Sequence, residues 1–173
     1  RNGKVVDISA KGDMALDSNS YVLSGNGQAA GFLKNLKLGD EVKVDHYLNN
    51  SIAEQADSVG SAGPLLVNNG RVQVESEAEG IASDIAYGRA PRTGVGIKKD
   101  GTVLIVVADG RSSDSVGMTL NELARYFVGL GAYTAMNFDG GGSSEMVIGS
   151  DIMNVPSDGD ERPIRAALGI FRK

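Results

Sequence analysis

Apolar and polar positions alternate in two different ways along the chain. Through the first third, short apolar runs are broken by polar turns. Lys4 to Ser9 predicts a strand, and Gln28 to Leu36 predicts a short helix. Gly39-Asp40 leads into Glu41 to Tyr47, a second predicted strand with Val42, Val44 and His46 on one face and Lys43 and Asp45 on the other. Asn49 to Ser61 is polar and weakly patterned, which predicts a loop or a frayed helix. Leu65 to Val67 and Arg71 to Val74 flank Asn69-Gly70, a dipeptide that readily takes the positive φ angles of a two-residue hairpin turn.

The second half carries a stronger pattern. Thr93 to Lys98 and Thr102 to Ala108 predict a hairpin closed at Asp100-Gly101. Val103-Leu104-Ile105-Val106-Val107 is continuously apolar and predicts a central strand buried on both faces. A loop from Asp109 to Met118 follows. Thr119 and Glu122 have the spacing of a capping box, and Leu120, Leu123, Ala124, Phe127 and Val128 then fall on one face of a helix that Gly129 and Gly131 end. Ala132 to Phe138 predicts the next strand, and Ser144 to Ile148 and Ile164 to Phe171 are expected to complete the sheet. Strand, helix, strand in close succession implies a right-handed crossover between parallel strands. Asp109 and Asp139, each just past a strand's C-terminal end, should then emerge on one edge of the sheet, where ligands of such sheets usually sit.

The expected fold is α+β: a mixed, largely antiparallel sheet with one main βαβ crossover helix and a few short helices. At 173 residues the chain is read as a single domain, 1–173, long enough to bury a core. Twenty-four glycines against four prolines fit many tight turns rather than a helical bundle. The chain begins at Arg1 and shows no signal peptide or membrane span, so it is read as a fragment or a processed form with any export signal upstream.

Charge and composition exclude several chemistries. A net charge of −5, few aromatics and no basic stripe argue against nucleic acid as a partner. With no cysteine, thiolate catalysis and disulfides are impossible. His46 is the only histidine, which excludes a multi-histidine zinc site; a structural role is expected for it. Asn154 to Glu161 has the look of a calcium loop but lacks the EF-hand spacing, so no metal ligands and no cofactor are expected.

What remains is anion and carboxylate chemistry. In Asp139-Gly140-Gly141-Gly142-Ser143-Ser144, three glycines after a strand can expose successive amides as an anion nest, and the two hydroxyls add donors. Three glycines alone would more often make a flexible hairpin loop; the flanking Asp and Ser-Ser tilt the balance toward a site. Asp109-Gly110-Arg111 is by itself a common turn, of interest because it should share an edge with Asp139. Two carboxylates on one edge can divide the roles of acid and base, or of nucleophile and stabiliser. Arg89, Arg92, Arg111, Arg162 and Arg165 can clamp phosphate bidentately, although any single arginine is more often in a surface ion pair.

Taken in order, Gly88-Arg89-Ala90-Pro91-Arg92-Thr93-Gly94-Val95-Gly96, Asp109-Gly110-Arg111, Gly117-Met118-Thr119-Leu120, Asn137-Phe138-Asp139-Gly140-Gly141-Gly142-Ser143-Ser144 and Pro156-Ser157-Asp158-Gly159 with Glu161-Arg162-Pro163 resemble the phosphodiester glycosidase family. The resemblance is dense from Gly88 to Phe171 and looser before. The chain departs from it in lacking an Asn-Gly-Gly-Phe-Phe-like segment near the start, and in having Ala166 where many bacterial relatives have asparagine. The resemblance implies hydrolysis of a sugar C1–O bond to phosphate, on a sugar-1-phosphodiester or phosphorylated polysaccharide, in an extracellular or cell-envelope setting such as exopolysaccharide synthesis. Under it, Asp139, Asp109 and Glu161 are the candidate catalytic carboxylates. Arg92, Thr93, Arg111, Gly140, Gly141, Gly142, Ser143, Ser144, Ser157 and Arg162 are the candidate substrate and phosphate contacts. The rival readings are a non-catalytic phosphoglycan-binding module, a metal-dependent phosphodiesterase and a degenerate interaction domain.

Overall fold

The computed structural model describes residues 3–12, 14–45, 47, 50–164 and 166–171. The chain divides into two compact units, Arg1–Val59 and Gly60–Lys173. In the first, one helix forms, α1 (Gly27–Leu33), close to the predicted one, and a single 3-10 turn spans Ala53–Gln55. Among the described residues the predicted strands there do not form: Lys4 and Glu41 meet in an isolated bridge, with Val5 and Gly39 hydrogen-bonded beside it. The apolar side chains of Val6 and Ile8 stay exposed, so alternation in this stretch has no buried face to serve. His46, like Arg165, lies outside the described residues.

The second unit holds the core. Its strands are β1 (Leu65–Asn68), β2 (Arg71–Val72), β3 (Arg92–Ile97), β4 (Val103–Ala108) and β5 (Thr134–Asn137), ordered β2-β1-β5-β3-β4 with every neighbouring pair antiparallel. A short helix α2 (Ser83–Tyr87) precedes β3, and α3 (Leu120–Gly129) links β4 to β5. The architecture is α+β, as expected. Both predicted hairpins form: Asn69 and Gly70 take φ 52° and 74°, and Gly101 takes 87°. The capping box also forms, with Thr119 Oγ1 accepting from the Glu122 amide at 3.2 Å and Glu122 Oε2 accepting from the Thr119 amide at 2.9 Å. That backbone bond, ahead of Arg89's pairing, holds the Glu122 carboxyl below its usual range.

Leu120, Leu123, Ala124 and Phe127 of α3 are buried against Leu66, Val67, Ala132 and Ala135. The helix approaches closely because β3 presents glycines to it. A Cβ on Gly94 would stand 2.6 Å from Phe127 Cε2, and one on Gly96 2.8 Å from Phe127 Cδ1. Among the described residues no helix is long and apolar enough to cross a membrane.

Three expectations are corrected. The Val103–Val107 run is not a central strand; β4 is an edge strand, half-buried at most, and β3 and β5 hold the middle. Glycines and alanines win the middle because they let α3 sit close. Ser144 to Ile148 does not join the sheet: β6 (Val147–Ile148) pairs only with β7 (Asp151–Ile152) in a separate ribbon. Ile164 to Phe171, as far as it is described, is not a strand, and Ile164, Leu168, Ile170 and Phe171 are exposed. Alternation offers a face, but a strand also needs a partner edge.

Candidate active site

Register determines which ends meet. β4 and β5 are both antiparallel to β3, so they run parallel to each other with β3 between them. Arg92 pairs with Ala108, and Gly94 with Asn137. The C-terminal ends of β4 and β5 and the start of β3 therefore lie at one end of the sheet. Asp109, Asp139 and the Pro91-Arg92 entry emerge there together.

Asp109 is held on two sides. Its Oδ1 accepts from Asn154 Nδ2 at 3.1 Å and from the Val155 amide at 3.0 Å, and its carbonyl accepts from Ser115 Oγ at 2.7 Å. Gly110 passes so close to neighbouring backbone that a Cβ would lie 2.7 Å from Pro91 N. The turn then forces Arg111 to φ 59°, a left-handed conformation that costs a non-glycine residue on the order of 1 kcal/mol. Through it the Arg111 guanidinium reaches the glycine turn, where a Cβ on Gly141 would stand 3.0 Å from Nη2.

The glycine turn is not an open nest. The Gly140 amide donates to Asp139 Oδ1 (3.0 Å) and the Gly141 amide to Pro91 O (2.9 Å); the Ser143 and Ser144 amides donate to Gly140 O and Gly141 O, both at 3.1 Å. Among the described residues, Gly142's amide is the one of the turn that finds no partner. The glycines serve close approach instead. A Cβ on Gly140 would meet Pro91 O at 2.9 Å, Gly141 takes φ 60°, and a Cβ on Gly142 would fall 2.1 Å from Asp158 Oδ2. Ser144 is buried, with its Oγ accepting from Thr93 Oγ1 at 3.2 Å, so these two hydroxyls bind each other. Ser143 is half-buried, and Asp139 is exposed beside it.

Arg92 differs from the expected phosphate contact. Its guanidinium is buried, donating from Nε to Met118 O (2.9 Å) and from Nη2 to Ile85 O (2.9 Å) and Gly88 O (2.7 Å). Burial, and then the charge of Arg111, lowers its pKa below the usual arginine range. The residue ties α2 and the Met118 turn to the start of β3. Arg89 donates to Gly117 O at 2.9 Å and pairs with Glu122. Among the described residues, Arg111 and Arg162 are exposed guanidinium groups near the turn.

The segment after β7 closes around these loops. Asp158 sits against Gly142 and pairs with Arg162 Nη1 at 3.1 Å; Ser157 Oγ stands 3.5 Å from Asp158 Oδ1. Glu161 faces Glu145, whose carboxyl is pushed up by burial first and then by the charge and hydrogen bond of Glu161. Ile152, Asn154, Val155, Pro156, Gly159, Asp160 and Glu161 line a hollow of about 460 Å³. Another, of about 450 Å³, lies at the opposite end of the sheet among Asn69, Lys98, Lys99 and Tyr133, and holds none of the candidate carboxylates. Among the described residues, no group of three or more His, Asp or Glu side chains could hold a metal ion.

Arg111 thus reaches Gly141, Asp158 sits between Gly142 and Arg162, and Asn154 joins Asp109 to Ser144 O, with Asp139 heading the turn. Sequence reasoning missed Asn154, Asp158 and Glu145. Asn154 and Asp158 stood in the stretch weighed as a cation loop, Asp158 also within the Pro156 to Gly159 piece of the family resemblance but with no role assigned, and no spacing marked Glu145.

An α+β domain that gathers carboxylates and guanidinium groups at one end of an antiparallel sheet is the class that fold and site define. The chain belongs to the phosphodiester glycosidase family, whose model matches residues 1–171. It is 28% identical over 148 residues to the mouse N-acetylglucosamine-1-phosphodiester alpha-N-acetylglucosaminidase, covering 75% of this chain and 28% of that protein. It is 39% identical over 80 residues to the SPbeta prophage-derived uncharacterized protein YomE of Bacillus subtilis, covering 46% of this chain and 12% of that one. Among solved structures, a hypothetical protein from Synechocystis aligns with a TM-score of 0.60 at 26% identity, over 72% of this chain and 23% of that chain. The chain thus spans less than a third of each of these relatives.

Proposed function

We propose that this chain carries the hydrolytic site of a phosphodiester glycosidase. Water adds at C1 of a sugar-1-phosphodiester, the C1–O bond breaks, and the free sugar and a phosphomonoester leave. The observation that carries this reading is the convergence of Asp109, Asp139 and the Arg111 guanidinium on the glycine turn at one end of the sheet. A phosphate leaving group needs little protonation, so stabilising its charge counts for more than a strong general acid. Arg111, Arg162, the Gly142 amide, Ser143 and Ser157 can supply that stabilisation. Asp139, exposed, attacks C1 or steadies its oxocarbenium-like charge, and Asp109 is its partner, with Glu161 a third candidate. Arg92, Thr93 and Ser144 serve this reading from beneath, as supports of the loops.

The family match runs through both units, which supports reading residues 1–173 as one functional domain. The name of the mouse relative supports the substrate class. Phosphodiester-linked glycans are envelope and extracellular materials, so the proposal places the enzyme outside the cytoplasm.

The test is release of sugar and phosphomonoester from a panel of sugar-1-phosphodiesters, with and without EDTA. Turnover that persists after chelation is expected. Activity that vanishes with EDTA and returns with added metal would instead support a metal-dependent phosphodiesterase.

A further inference from the structure

The β6–β7 ribbon stands outside the main sheet, and its register places Asn154 just beyond the ribbon's closing bond, Met153 N to Met146 O at 2.8 Å. Asn154 is half-buried and uses both ends of its amide. Nδ2 donates to Asp109 Oδ1 (3.1 Å) and to Ser144 O (3.0 Å), while Oδ1 accepts from the Met146 amide (2.8 Å). One side chain joins the loop after β4, the end of the glycine turn and the ribbon. The Val155 amide then adds a second donor to the same Asp109 oxygen at 3.0 Å.

Asparagine suits this position because it combines two donors with an acceptor in one planar group. An aspartate could still accept from Met146 but could donate to neither Asp109 nor Ser144. Two donors on Oδ1 fix the rotation of the Asp109 carboxylate, and among the described residues Oδ2 has no hydrogen-bond partner.

We propose that Asn154 is the positioning residue of the Asp109 carboxylate, delivered to it by the β6–β7 ribbon. The proposal rests on the glycosidase reading above. Asn154 does not touch the reacting atoms; it acts through Asp109. Misplacing a reacting group by about 1 Å costs on the order of 10²-fold in rate.

The test is a double-mutant cycle of wild type, Asp109→Asn, Asn154→Ala and the double variant, assayed for kcat and KM on a sugar-1-phosphodiester. Asn154→Ala should lower kcat on the order of 10²-fold with KM changed less than about twofold. In the Asp109→Asn background the same substitution should change kcat by less than about twofold, because the group it positions is already gone. Wild-type kcat in Asn154→Ala would overturn the proposal, as would an equal loss in both backgrounds, which marks general damage to the loops. If Asn154→Ala does not fold, Asn154→Asp decides: it keeps the Met146 contact and the shape, and should show the same kcat loss. Should Asp109→Asn itself turn over at the wild-type rate, the catalytic reading of Asp109 fails first and takes this inference with it. Loss in Asp109→Asn without loss in Asn154→Ala or Asn154→Asp sinks the inference alone.

Discussion

Asp139→Asn is expected to lower kcat on the order of 10³-fold while leaving fold and substrate affinity nearly intact. The carboxylate is exposed at the head of the glycine turn, and its Oδ1 accepts from the Gly140 amide at 3.0 Å. An asparagine can accept the same bond, so the turn keeps its shape and only the negative charge is lost. That charge is what an oxocarbenium-like centre needs. Under the proposed reading substrate affinity would rest instead on Arg111, Arg162 and the turn, none of which is touched. Steady-state kinetics together with binding of a non-hydrolysable analogue separate the two effects. A variant that still turns over at the wild-type rate removes Asp139 from the chemistry, and a wild type that binds without turnover supports the phosphoglycan-binding module.

The largest effect on stability is expected where α3 packs on the sheet. Phe127→Ala should destabilise the second unit by about 3–5 kcal/mol, against a total of about 5–15 kcal/mol for an ordinary domain. Phe127 is fully buried, and its ring lies against Gly94 and Gly96. Alanine would leave a cavity that those glycines, having no side chains, cannot fill. β3 cannot easily move into the space either, because it is hydrogen-bonded on both sides to β4 and β5. β3 joins the site's end of the sheet to this contact: it begins at Arg92 and passes beneath the ring at Gly94 and Gly96. Urea unfolding followed by circular dichroism measures the effect. A loss below about 1 kcal/mol would mean that the helix is not seated as described.

These expectations draw unevenly on what the chain alone reveals. Local chemistry was legible. Thr119 and Glu122 announce their helix start because a capping box is made within one turn, and Asn69-Gly70 and Asp100-Gly101 announce their hairpins because positive φ is a property of those residues. The shared end of Asp109 and Asp139 was legible too, since strand, helix, strand leaves few geometries. Partner choice was not. Val103 to Val107 has the composition of a central strand, yet position in the sheet is set by which strand α3 can approach, and that depends on Gly94 and Gly96 in the neighbouring strand.

The site shows the same division. Its loops could be named from sequence, but the direction of each polar group could not. Arg92 looks like a phosphate ligand until its bonds to the carbonyls of Ile85, Gly88 and Met118 are seen. Three glycines look like a nest until the amides of Gly140 and Gly141 are found bound to Asp139 Oδ1 and Pro91 O. Asn154 carried no motif, because its partners Asp109 and Ser144 are distant in sequence and only a fold brings them together.

Hydrolysis in heavy-oxygen water tests the central claim most directly, because it reports which bond breaks. Attack at C1 leaves the phosphomonoester unlabelled and puts the heavy atom on the sugar, and mass spectrometry of the phosphomonoester, whose oxygens do not exchange, is predicted to find none. A heavy oxygen in the phosphomonoester would mean that phosphorus, not C1, is attacked, and would contradict the account.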